Sequence, residues 1–99
     1  MSKYPEVGCR VVALLDAKNG IVRSFGAGKY VGDFVPPREI GGFNMGRPNP
    51  KLDLDNGKTA WGCECWWETE DAIKMHFPED KWKWENVDID EYRKEMSES

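Results

Sequence analysis

Three cysteines and one histidine have the widest chemical reach in this 99-residue chain. Cys63 and Cys65 form a C-x-C pair inside KTAWGCECWW, while Cys9 and His76 lie far away in sequence. Four such groups make a Cys3His zinc site if they converge on a tetrahedron. Zinc sites are usually assembled from paired C-x-x-C knuckles, which the chain lacks, so buried structural thiols are the simpler expectation. A Cys/His nucleophile pair would have to use His76, in a short helical stretch before Phe77-Pro78. No nucleophile signature surrounds Cys63 or Cys65.

Two further patterns invite chemistry. FGAGKYVGD (residues 25–33) contains G-x-G-K, but not the G-x-x-x-x-G-K-[ST] spacing of a phosphate loop, and no helix follows to supply amide donors. Its three glycines read instead as bulges or close backbone approaches in a bent strand. Asp53 and Asp55 share one strand face beside Asn56-Gly57, where paired carboxylates are more often a solvated surface than an acid-base couple. No catalytic signature emerges, and the chain reads as a non-enzyme without a cofactor.

The tryptophans either build the core of a domain short of aliphatics, as expected for Trp61 and Trp67, or speak for binding, as expected for Trp66. Trp61, Trp66, Trp67, Trp82 and Trp84 exceed what a core of this size needs, and Trp is enriched at binding hot spots. Read as one strand, Lys58 to Trp67 places Thr59, Trp61, Cys63, Cys65 and Trp67 on a core face. Lys58, Ala60, Gly62, Glu64 and Trp66 then fall on an outer face. Trp66 is the large aromatic on the polar side, where it either covers a second small cluster or forms part of a binding surface. With Phe25, Gly26, Gly28, Lys29, Tyr30 and Asp33 of the Gly-rich bend, and Phe43 and Arg47 of the long 38–50 connection, it makes up the expected contact surface.

These residues need a scaffold. VGCRVVALL (residues 7–15) is apolar on both faces, with Cys9, Val11, Ala13 and Leu15 opposite Arg10, Val12 and Leu14, as suits a central or bent strand. Asn19-Gly20 turns it into a second strand from Ile21, because both residues tolerate the positive φ of a tight hairpin. A second hairpin turns at Asn56-Gly57. Thr69 is the expected N-cap of a helix over 70–77, ended by Pro78, with Ile73 and Phe77 on one face. Trp82 and Trp84 share one side of an extended segment. Asp88 and Glu91 form a capping box for a last helix through Met96. The expected fold is α+β: a small curved antiparallel sheet, an SH3-like barrel, with one short helix and a C-terminal helix. The chain forms a single domain over 1–99, β-rich over 5–68, helical and acidic over 69–99.

Composition narrows the partners. Residues 1–78 hold 10 acidic and 10 basic side chains, and residues 79–99 hold 8 and 4, which supplies the whole net charge of −4. No basic patch is visible, which argues against nucleic acid. No apolar run is long enough for a membrane span, and MSKYPEVG lacks the apolar core of a signal peptide. An odd number of cysteines then points to a reducing cytoplasm. Open sheet edges would allow homodimer pairing.

Gly26, Gly28, Tyr30, Gly32, Asp33, Val35 and Pro36, followed by Trp61 to Trp67, resemble a pattern of small phage- and prophage-type proteins over about residues 5–68. The resemblance transfers no specific activity. It implies a class expectation: a small accessory protein in the host cytoplasm that binds, often inhibiting a host protein or sequestering a ligand. The favoured target is a host protein. The alternatives are a small nucleotide-like ligand, stacked on an aromatic ring and met by Lys29, Arg23 or Arg47, and a small zinc protein built on Cys63 and Cys65.

Overall fold

Val11, Val12, Ala13 and Leu14 are consecutive and all buried, which a strand achieves only when both its faces are covered. They lie in β1 (Arg10–Lys18) of the computed structural model, which describes residues 6–37 and 47–98. Val11 and Ala13, with Cys9 and Leu15 beside them, pack into one apolar cluster; Val12 and Leu14 pack into a second. The sheet therefore carries a core on each face.

Asn19 (φ 54°) and Gly20 (φ 78°) make the tight turn into β2 (Ile21–Phe34), whose first residue pairs with Lys18. At 14 residues β2 is the longest element, and it bends. The register against β1 slips near Ala13 and Leu14, where Gly26 takes φ 121°. Buried Ser24 holds this bulge: its hydroxyl donates to the Ala13 carbonyl (3.2 Å) and accepts from the Gly26 N–H (2.8 Å). The glycines of FGAGKYVGD thus serve a bent strand, as the sequence suggests.

β2 passes its far end to β3 (Asn49–Leu54), which turns through Asn56-Gly57 into β4 (Thr59–Trp61). Here the chain departs from the single strand expected over 58–67. Residues Gly62 to Cys65 form a turn, and a separate strand β5 (Trp66–Thr69) pairs with the other side of β1. The turn is closed by the Glu64 N–H donating to the Trp61 carbonyl (2.9 Å) and by the Glu64 carboxylate accepting from the Trp61 N–H (3.1 Å). Ala60, expected on the outer face, is instead fully buried in the core cluster that holds Leu52 and Leu54.

Thr69 caps α1 (Glu70–His76), accepting from the Ala72 N–H at 3.3 Å. Ile73 and Phe77 then cover Val12 and Leu14. β6 (Lys83–Asn86) returns parallel to β2, opposite Ile21 to Ser24, and sets Trp82 and Trp84 against the same cluster. Asp88 accepts from the N–H groups of Asp90 and Glu91 and so starts α2 (Ile89–Glu98), whose Ile89 and Tyr92 close the first core. The strand order is β4-β3-β2-β1-β5, with β6 on β2. The fold is α+β with a mostly antiparallel sheet. Among the described residues the sheet is not closed into the expected barrel: its two ends, β4 and β5, are separated by β3, β2 and β1.

Candidate binding surfaces

Trp66 stands directly opposite Leu14 across the β1–β5 ladder, so it projects from the face that holds the second core. It is 49% exposed. Its ring meets Phe77 edge-on at 5.9 Å and 87°, and Phe77 meets Trp82 edge-on at 5.0 Å and 89°. Such edge-to-face pairs align the positive rim of one ring with the negative face of the next. The Phe77 ring is held in turn by Trp82, and its backbone carbonyl accepts from Trp84 Nε1 at 3.0 Å. Met75, 82% exposed, lies two residues from Phe77 on the preceding helix. The result is an aromatic ledge whose outermost ring is held without being buried.

Other expected contact residues lie elsewhere. Phe25 and Tyr30 belong to the core on the opposite face of the sheet from Trp66. Tyr30 stacks on Trp67 (5.1 Å, 27°) and donates its hydroxyl to Asp33 at 2.6 Å, which makes it a packing residue first. Gly28 lies against β3, where a Cβ would come within 2.1 Å of the Asp53 carbonyl oxygen. Lys29, Asp33 and Arg47 are exposed, and the Arg47 carbonyl accepts from Asn49. Phe43 lies outside the described residues. Asp53 is exposed, and Asp55 receives the Arg10 guanidinium through two hydrogen bonds, as befits a solvated face.

Phe25 and Gly26 do line a second feature. One edge of β2 carries β6 up to Ser24 and β3 from Gly28 onward. The fork is bounded by two backbone bonds, Val87 N–H to the Ser24 carbonyl (2.8 Å) and Asp55 N–H to the Ala27 carbonyl (2.9 Å). Between them opens a cleft of about 460 Å³, floored by Phe25, Gly26 and Ala27. Asn56 and Lys58 form one rim, Asn86 and Asp88 the other. Lys58 Nζ joins the rims, 2.8 Å from Asp88 and 3.2 Å from Asp90. The Lys58 hydrogen bond, helped by the α2 N–H groups, holds the Asp88 carboxyl below its ordinary pKa.

Among the described residues, no three His, Cys, Asp or Glu side chains gather as a metal site would require, and Cys9, Cys63, Cys65 and His76 are all described. The thiols are also tuned away from reactivity. Burial raises the pKa of Cys9 and Cys63 and, with Glu64 and Cys63 adding to it, pushes Cys65 up to about 12. Cys65 donates its S–H to the Trp61 carbonyl at 3.4 Å. An activated nucleophile is shifted in the opposite direction. A pH dependence follows. The unfolded thiol ionises near 9 and the folded one near 12, so between these values the unfolded state binds fewer protons. Stability is expected to fall as pH rises from 9 towards 12, by at most about 1.4 kcal/mol per unit. Urea titrations of the native chain and Cys65→Ser across that range check it, the variant showing the shallower decline.

The sequence pointed to Trp66 but not to the rings that hold it. Phe77 meets it from the end of α1, and Trp82 and Trp84 hold Phe77 through the parallel docking of β6, a long-range event. The rims of the cleft pair residues thirty apart, Lys58 and Asp88, which no local pattern signals. No family model, no curated protein and no solved structure matches the chain.

Proposed function

We propose that this chain is a non-catalytic binding protein that docks on another protein through the Trp66–Phe77–Trp82 ledge. The observation that carries this reading is the state of Trp66, half exposed yet held edge-on by a ring that is itself fixed. A rigid, partly desolvated indole loses little entropy on binding and supplies a large contact area, the profile of a hot-spot residue. On this reading the chain acts as small phage-type accessory proteins act, by occupying a host protein and thereby inhibiting or regulating it. Immobilised native chain and Trp66→Ala, exposed to the same bacterial lysate, test it. A protein held by the native chain and captured at least tenfold less by the variant is expected. Identical capture by both sinks the proposal.

The cleft carries a second reading, sequestration of a small molecule over Phe25 and Gly26. Among the described residues its lining lysine, Lys58, is already shared between Asp88 and Asp90, and Lys29 and Arg47 lie outside it. The phosphates of a nucleotide are therefore poorly served, and a neutral ligand suits the site better. Native mass spectrometry of protein purified without chelator separates these readings. The protein-docking reading expects the mass of the bare chain; an added organic mass would move the function to the cleft, and an added zinc would return it to Cys63 and Cys65.

A further inference from the structure

Two residues, Arg93 and Glu64, occupy the outward edge of β4. Lys58 and Gly62 direct backbone groups to β3, where the Lys58 carbonyl accepts from Leu54 and the Gly62 N–H donates to Pro50. By alternation, Thr59 and Trp61 direct theirs away from the sheet. An edge strand normally leaves such groups to water, ready to pair with another strand. Here the Thr59 carbonyl accepts from Arg93 Nη2 at 2.7 Å, the Trp61 N–H donates to Glu64 at 3.1 Å, and the Trp61 carbonyl accepts from the Glu64 N–H at 2.9 Å. Arg93 in α2 also binds Glu64 through Nε at 3.1 Å, which ties the helix to the turn. The pair is largely withdrawn from water, with side-chain exposures of 12% for Glu64 and 25% for Arg93.

We propose that Arg93 and Glu64 are a guard over the β4 edge, and that the occupant of the unguarded edge is β4 of a second copy. The edge is self-complementary. An antiparallel twofold through Ala60 sets Thr59 against Trp61 of the second copy and the reverse, so the outward N–H and C=O groups meet in matching pairs and the contact closes on itself. Ala60 at the axis keeps its methyl in the core and offers no bulk to the contact.

The test is analytical ultracentrifugation over a concentration series. Arg93→Met keeps the aliphatic stem but removes the donors, and is expected to tighten self-association at least tenfold relative to the native chain. Adding Thr59→Pro removes an outward N–H without touching the β3 ladder, and is expected to return association to the native level. Unchanged association in a folded Arg93→Met, judged by near-ultraviolet circular dichroism, overturns the proposal. So does association that persists in the double variant, because another surface or a foreign strand would then be responsible. Should Arg93→Met fail to fold, Glu64→Ala decides by the same readout, since it removes both the acceptor of the Trp61 N–H and the hold on Arg93.

Discussion

Gly28→Ala is expected to cost about 3 kcal/mol or more, a large share of the stability of a domain this size. The reason is backbone, not conformation. Gly28 pairs with Leu54 across the β2–β3 ladder, and an added methyl would lie 2.1 Å from the Asp53 carbonyl oxygen and 2.7 Å from the Leu54 Cα. No side chain can rotate away to make room. The strands would have to part, and parting them uncovers Leu52 and Leu54, both buried. Thermal melts of the native chain and the variant check this, with a midpoint lower by about 15 °C or more expected. Gly26→Ala is the control: nothing lies within 4 Å of its Cβ, so only the positive φ is strained and the loss should be smaller. A Gly28→Ala chain that melts with the native one would mean that β3 does not approach β2 so closely.

Trp66→Ala and Trp67→Ala are expected to have opposite signatures, although the two residues are neighbours. Trp67 stacks on Tyr30 and packs against the core that also holds Val11 and Leu52. Its truncation should cost about 3 kcal/mol, near the lower end for removing an indole from a core. Trp66 is half exposed, and its loss should cost about 1 kcal/mol of folding, mainly the Phe77 contact. Binding should reverse the order. Removing Trp66 is expected to weaken the partner by about 2 kcal/mol or more, a factor near 30. Calorimetric titration of a captured partner, beside chemical denaturation of each variant, separates the two. Equal binding losses after correction for folding would reduce Trp66 to a packing residue.

Much of the scaffold is legible in the sequence because its determinants are local. The unbroken apolar run at Val11 to Leu14 foretells a strand with cover on both sides, and the two clusters divide it as strict alternation requires. Asn19-Gly20, Thr69 and Asp88 sit where turn and cap chemistry puts them. The break after Trp61 is not legible, since the two-residue period of KTAWGCECWW runs through it. What breaks the strand is tertiary: a Cβ on Gly62 would stand 2.7 Å from the Pro50 ring, and Glu64 finds Arg93 twenty-nine residues on. The same limit hides the ledge. Trp66 stands out as an aromatic on a polar face, but the Trp82 and Trp84 contacts that hold its neighbour Phe77 arrive with β6. The parallel pairing of β6 and the open edge between β4 and β5 have no local signature either, which is why a closed barrel looked reasonable.

The parallel docking of β6 also sets an order of events during synthesis. Val22 leaves the ribosome as part of a hairpin that closes locally, yet its partner Trp84 is made about sixty residues later. Until then the second face of the sheet, with Val12, Leu14 and Val22, is covered by Ile73 and Phe77 but still lacks Trp82 and Trp84. Contacts of such sequence separation form slowly, and an incompletely covered apolar sheet is prone to wrong encounters. The nascent chain is therefore most exposed to aggregation in the interval before residue 84 emerges, and the same late step that ends this interval completes the hold on Phe77 beneath Trp66.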